Sequence, residues 1–122
     1  MIRTQEDIRR VALSLPEAIE QAHFERPAFR IRGKIFATLP EPRFDGDERV
    51  VLLRIPMVLK EALMVSDADA MVSLGPWERQ RIIQVDIGRM DWDKVEGLVK
   101  LAWREAAPKT WLKELGPGPW GD

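Results

Sequence analysis

The chain has 122 residues, of which 19 are Lys or Arg, 20 are Asp or Glu and one is His, while Cys and Tyr are absent. A chain of this length forms one domain and can bury a core without covalent staples. The apolar share of 45% and the charged share of 32% exclude a disordered or fibrous protein. The absence of Cys excludes disulfides, thiolate catalysis and Cys-type metal sites. The single histidine, His23, excludes metal sites built from several imidazoles.

The charge and hydropathy patterns set further limits. The charged N-terminus lacks the apolar stretch of a secretory signal, and no apolar run reaches the roughly 20 residues that cross a bilayer. We therefore expect a cytoplasmic protein without membrane association. The net charge of −1 argues against a protein that coats nucleic acid nonspecifically. Since residues 1–55 hold 10 basic and 9 acidic side chains, any anion site must be a local patch.

The first predicted element is a helix that starts near Thr4. Thr4 can cap the first turn, and the acidic Glu6 and Asp7 suit the positive end of a helix. Pro16 ends the helix because the residue before a proline disfavours helical geometry. A single apolar stripe recurs at helical spacing and consists of Ile8, Val11, Ala12 and Leu15.

Residues 28–39 are predicted to form two short strands around a turn at residues 32–34. Apolar and cationic side chains alternate along the first strand, which gives one apolar face and one cationic face. If the turn holds three residues, Ile35 lies on the core side and Phe36 points outward beside the arginines. A different register buries Phe36 and exposes Ile35, and the sequence leaves both registers open.

A loop with a turn signal at Asp45-Gly46 follows. The next elements are a central strand at residues 49–55, a short helix at 57–65 opened by Pro56, an irregular stretch at 67–76 and a strand at 81–87.

The last long helix gives the strongest pattern. Asp91 is a natural N-cap, and Pro108 interrupts the helix before one further turn at residues 110–115, which Gly116 terminates. Residues 1–115 are thus expected to form the single domain, and residues 116–122 a flexible tail with an exposed Trp120. The helix has apolar positions that follow a 3.6-residue period, namely Val95, Leu98, Val99, Ala102 and Ala106, and Trp92, Trp103 and Trp111 are expected to pack on the core.

Strands that cluster, rather than alternate with helices, predict an antiparallel sheet with helices packed on one face. The predicted fold class is therefore a two-layer α+β sandwich.

The order of several short segments resembles the MmcQ/YjbR-like family, small bacterial proteins grouped by fold with the bacterial frataxin homologue. The resemblance covers about residues 8–113. One departure is residues 75–79, where charge follows Trp77 in place of apolar strand residues. The segments that carry the resemblance are Leu15-Pro16-Glu17, Arg26-Pro27-Ala28-Phe29, Gly33-Lys34-Ile35-Phe36-Ala37, Trp77, the strand at 81–87, Ala102-Trp103-Arg104 and Ala106-Ala107-Pro108-Lys109.

The resemblance implies an α/β fold whose sheet and hairpin form a winged surface, and it carries the label of a DNA-binding protein. Frataxin-like proteins bind iron through an acidic helix and sheet edge. Residues 7–10 of this chain read Asp-Ile-Arg-Arg, which is not acidic, so the iron role is not transferred. We expect no metal and no other cofactor.

The strongest candidate site is a basic hairpin. Four cations fall within nine residues that contain no acidic side chain, and a hairpin can present such cations to phosphate oxygens, for instance those of double-stranded DNA. Four phosphate contacts predict a log–log salt slope of about −3.6 on duplex DNA. The competing interpretation is an ordinary solvated strand face that protects a sheet edge. The predicted nucleic-acid-binding residues are Arg26, Arg30, Arg32, Lys34 and Phe36.

A second candidate surface follows Gly75-Pro76. Trp77 could stack on a planar ligand while Arg79 and Arg81 hold an anion, which favours a small anionic ligand or a partner protein. A Trp at such a corner more often closes the rim of the core.

The remaining polar clusters predict little chemistry. His23 lacks a nucleophile or second ligand nearby in sequence and is expected to be structural or exposed. Asp45, Asp47 and Glu48 are expected to form a turn rather than a calcium loop, since the distal ligands are missing. No constellation converges on a reaction, so we expect a non-enzymatic binding module, monomeric or homodimeric.

Overall fold

The computed structural model describes residues 3–40, 49–75 and 80–121. Within these residues five strands form one antiparallel sheet, and each strand pairs with its neighbours in sequence. The predicted α+β fold with an antiparallel sheet is confirmed. The strands are β1 (Ile19–Glu20), β2 (Ala28–Ile31), β3 (Lys34–Thr38), β4 (Val50–Arg54) and β5 (Ile82–Asp86), and the helices are α1 (Gln5–Ser14), α2 (Met57–Ser66), α3 (Trp92–Ala106) and α4 (Lys109–Leu115).

The local signals of the sequence set the ends of the helices. The Thr4 side chain accepts a hydrogen bond from the N-terminal turn of α1, and Asp7 accepts one from the Thr4 backbone at 2.8 Å, which completes a capping box. The helix ends at Ser14, two residues before Pro16. Asp91 is the N-cap residue of α3, and Gly116, with φ 77°, ends α4. The short β1, which pairs with β2, was not predicted.

The core lies between the sheet and α1 and α3. The α1 stripe faces it, with Ile8 and Ala12 fully buried. Trp103 is also fully buried, and its indole Nε1 donates to the Pro16 carbonyl at 3.1 Å, so the polar edge of this core residue is satisfied. Trp92 and Trp111 are partly buried against the same core. The packing role predicted for the three tryptophans is confirmed.

The β2–β3 hairpin has a two-residue turn, not the three-residue turn that placed Phe36 outside. Arg32 and Gly33 both have positive φ, 51° and 84°, which is the pattern of a type I′ turn. Ile31 therefore pairs with Lys34 and Arg30 with Ile35. In this register Phe36 is fully buried and belongs to the hydrophobic core, so the prediction that it makes an outward apolar contact is wrong.

The C-terminal segment packs back on the domain. Trp120 is partly buried against the core, and its Nε1 donates to the Gly116 carbonyl at 3.1 Å, so the predicted exposure of this side chain is wrong. None of the helices in the described ranges combines the length and apolarity that spanning a membrane requires.

Candidate functional site

Four cationic side chains collect at one end of the sheet. In an antiparallel meander the end of β2, the start of β3, the end of β4 and the start of β5 lie side by side. These positions carry Arg30, Lys34, Arg54 and Arg81, which we call the basic cluster. All four line one open cavity of about 560 Å³.

The described part of the chain supplies no ion-pair partner for the basic cluster. None of its four cations forms an ion pair with another described residue. Arg30 donates from Nη1 to the Gly33 carbonyl at 3.3 Å, and its buried Nε has no partner among the described residues. One carboxylate, that of Glu105 near the end of α3, also lines the cavity. Among the described residues the cavity is therefore lined by four cations and one carboxylate, which gives the concave site a net positive charge.

Arg32 is held in a different environment. Its Nε and Nη2 donate to the two carboxylate oxygens of Glu17 at 2.9 and 3.1 Å, a bidentate pair. Its guanidinium also lies over the Trp111 ring, 5.1 Å from the centroid. Of the predicted hairpin site, Arg30 and Lys34 thus lie together in the basic cluster. Arg32 is instead held by Glu17 and by Trp111 of α4.

A second cavity, which we call the apolar basin, opens on the sheet face opposite the helices and has a volume of about 490 Å³. Strand alternation directs Leu52 and Arg54 to this face, while Val51 and Leu53 point into the core. Cross-strand pairing places Thr38 beside Leu52. The side chains that line the basin are mostly apolar and include Phe24, Ile35, Leu52, Leu74 and Ile82.

Phe24 lies at the rim of the basin on a strained turn. Backbone hydrogen bonds between His23 and Arg26, at 2.9 and 3.1 Å, close a two-residue turn formed by Phe24 and Glu25. Both turn residues have positive φ, 50° and 66°, which is unusual for bulky side chains. Phe24 is 85% exposed, and its ring packs on His23, with 4.4 Å between the ring centroids. Neither burial nor local conformation favours Phe at this position.

The two cavities form one continuous surface. Ile35 and Arg54 line both of them, and Arg26, a residue of the predicted hairpin site, lines the basin. Sequence reasoning missed Arg54 and Phe24. Arg54 could have been found by placing the ends of successive strands of a meander side by side. Phe24 carried no periodic signal that could have identified it.

The alternative site of the sequence analysis is only partly described. Arg81 belongs to the basic cluster, so the structure joins it to the hairpin. Trp77 and Arg79 lie outside the described residues. The acidic turn with Asp45, Asp47 and Glu48 also lies outside them.

The other end of the sheet carries acidic residues, two of which are paired with cations. Asp86 ends β5 and pairs with Arg89, with an N–O distance of 3.6 Å, and Asp91 and Asp93 lie at the start of α3. Asp67 accepts hydrogen bonds from Lys94 and from Ser66, and these contacts hold its pKa below the ordinary Asp value. Across the described ranges, no three His, Asp or Glu side chains lie close enough together to hold a metal ion.

Comparison with known proteins identifies the family of the domain. The profile of the YjbR family matches residues 13–105. The chain belongs to the YjbR family. The matched region contains all five strands and all four cations of the basic cluster, so the candidate site is part of the YjbR domain itself. A search of curated proteins finds no match to the chain.

Proposed function

We propose that this YjbR-family protein is a non-enzymatic module that binds DNA through the basic cluster. One observation supports the proposal above all others. Four cations from four separate segments of the sheet line one cavity, and none of them forms an ion pair with another described residue. Lys34, Arg54 and Arg81 are exposed and have no acidic partner among the described residues, so they are available to an external anion.

Phosphate groups match this site chemically. A guanidinium donates two parallel hydrogen bonds to a phosphate, and three of the four cations are arginines. At the other end of the sheet Arg89 and Lys94 are paired with Asp86 and Asp67, so that end offers fewer available cations to a polyanion. The proposed contacts are made by Arg30, Lys34, Arg54 and Arg81, with Arg26 at the more distant rim of the basin.

The proposal predicts a modest salt dependence. Four phosphate contacts give a log–log slope of about −3.6 on duplex DNA and about −2.8 on single strands. Binding is therefore expected to be detectable at low salt and to weaken clearly at physiological salt.

Fluorescence anisotropy of labelled DNA tests the proposal with two matched double variants. Arg54→Gln with Arg81→Gln removes two cations of the basic cluster. Arg10→Gln with Arg89→Gln removes two exposed arginines that already have acidic partners, and it changes the net charge equally. We expect the first variant to lose affinity and about two units of slope on duplex DNA. Equal losses in both variants, or no binding at low salt, would contradict the proposal.

A small phosphate-bearing ligand is a second candidate, favoured by the concave shape of the site. The cavity volume of about 560 Å³ falls in the range of about 300–1,000 Å³ that is typical of small-molecule pockets. Titration calorimetry with nucleoside triphosphates distinguishes the two candidates. Saturable binding tighter than that of an oligonucleotide, and lost in the Arg54→Gln/Arg81→Gln variant, would favour the small ligand.

A further inference from the structure

We propose that the apolar basin receives an unpaired nucleobase, so that this surface binds single-stranded DNA in preference to duplex DNA. The inference rests on the proposed function and extends it, because it assigns a role to the cavity beside the basic cluster and specifies the form of nucleic acid. Three independent observations support it.

The first observation is continuity between a cationic site and an apolar site. Arg54 and Ile35 line both cavities, so a phosphate held by Arg54 has its attached nucleotide next to the basin. Single-strand binding surfaces combine cations that follow the backbone with apolar or aromatic groups that take the bases. A duplex keeps its bases stacked and paired, so it can use the basic cluster but not the basin.

The second observation is the chemistry of the basin. Ile35, Leu52 and Ile82 form half-buried apolar walls, and Thr38 supplies a hydroxyl group to the same cavity. A base has two apolar faces and a polar edge, which this combination fits. The volume of about 490 Å³ lies within the range that accepts drug-sized organic molecules, and a base with its sugar is smaller than these.

The third observation is the strained, exposed aromatic ring of Phe24. Asn or Gly would suit the positive φ of 50° better than Phe does. A strained residue that also exposes 85% of an aromatic side chain is poorly explained by stability, and such outliers are typical of ligand contacts. A base that stacks on Phe24 covers the ring and gives the strain a functional reason.

The experiment compares three labelled probes of equal length by fluorescence anisotropy: oligothymidylate, an abasic single strand and a duplex. The abasic strand carries the phosphates without the bases. We expect oligothymidylate to bind at least about fivefold more tightly than the abasic strand, and more tightly than the duplex. All three probes should lose affinity in the Arg54→Gln/Arg81→Gln variant.

Two substitutions of Phe24 provide the decisive control. Phe24→Asn removes the ring and relieves the backbone strain, so we expect a higher midpoint of urea unfolding together with thymidylate binding reduced to the abasic level. Phe24→Tyr keeps an aromatic face and should retain the preference for bases. The stability measurement ensures that lost binding is not caused by misfolding.

The outcomes separate this inference from the proposed function. Equal binding of oligothymidylate and the abasic strand, or a duplex bound as tightly as oligothymidylate, overturns base insertion and leaves DNA binding intact. An unchanged preference for bases in Phe24→Asn likewise overturns the role of the ring. Failure of all three probes to bind at low salt overturns the proposed function itself.

Discussion

Helix α1 and the end of the sheet that carries the basic cluster are both rich in cations, but the two regions differ in how those cations are paired. Each arginine at α1 has an acidic partner: Arg3 and Arg10 pair with Asp7 at 3.5 and 3.3 Å, and Arg9 pairs with Glu6 and Glu20. None of the four cations of the basic cluster has an acidic partner among the described residues. Composition is therefore a poor guide to an anion site, because pairing decides which cations are available.

The difference also implies different energetic roles. The α1 pairs join the helix to itself and to β1, so they contribute to stability, although partly exposed pairs contribute little. The basic cluster places like charges in one cavity and contributes repulsion instead. Such a local cost is expected where a surface is maintained for binding. Four variants test this comparison.

The largest effect is expected from charge reversal in the basic cluster. Arg54→Glu with Arg81→Glu should weaken binding of single-stranded DNA by about 100-fold, since each lost charged contact contributes roughly 1.5 kcal/mol. Stability should not fall, because the substitutions relieve repulsion between like charges. Anisotropy and urea unfolding of the same preparation measure both quantities. A marked loss of stability with unchanged binding would show that these arginines serve the fold.

Arg9→Gln is expected to have the opposite result, lowering stability while leaving DNA affinity nearly unchanged. Arg9 donates to both carboxylate oxygens of Glu20, at 2.8 and 3.2 Å, which raises its pKa above the ordinary Arg value and links α1 to β1. Loss of this pair should lower the free energy of unfolding by about 1 kcal/mol, near the upper limit for partly exposed pairs. DNA affinity should change by less than about twofold. Weakened binding without loss of stability would place Arg9 in the interface and remove the contrast between the two regions.

Arg32 lies between these two cases, since it belongs to the basic hairpin by sequence and to the paired group by structure. Arg32→Gln should lower the free energy of unfolding by about 0.5 kcal/mol, because its side chain and that of Glu17 are 48% and 51% exposed. Its effect on DNA affinity should be smaller than that of Arg54→Gln, although both substitutions remove one positive charge. A larger effect from Arg32 would show that its pair with Glu17 opens when DNA binds.

Asp67→Asn is expected to have the smallest effect on stability, and the size of that effect should depend on pH. The hydrogen bond from Lys94, with a second from Ser66, lowers the Asp67 pKa in the folded protein. Its stabilising contribution is therefore present above the unfolded pKa of about 3.9 and is lost as the pH falls through the folded pKa. Wild type should be the more stable protein at pH 7, and the difference should narrow in strong acid. A difference in urea midpoint that does not vary with pH would contradict this account.

Local interactions explain why the sequence predicted the elements well. The Thr4 cap, the stop at Pro16 and the 3.6-residue period of α3 depend on residues within one or two helical turns. The α+β class followed from the order of those elements. The geometry of the hairpin was harder to predict, because turn length and register depend on which side chains the helices bury. Arg32 and Gly33 accept positive φ, and Phe36 consequently enters the core.

The sequence by itself determined the helices, the strands other than β1 and the local run of cations in the β2–β3 hairpin. Only the tertiary structure decided which cations form a site. Glu17 binds Arg32 from 15 residues away in sequence, and strand order brings Arg54 and Arg81 to Arg30 and Lys34. Ion pairs and cavities depend on neighbours in space, whereas helix caps and hydrophobic periods depend on neighbours along the chain.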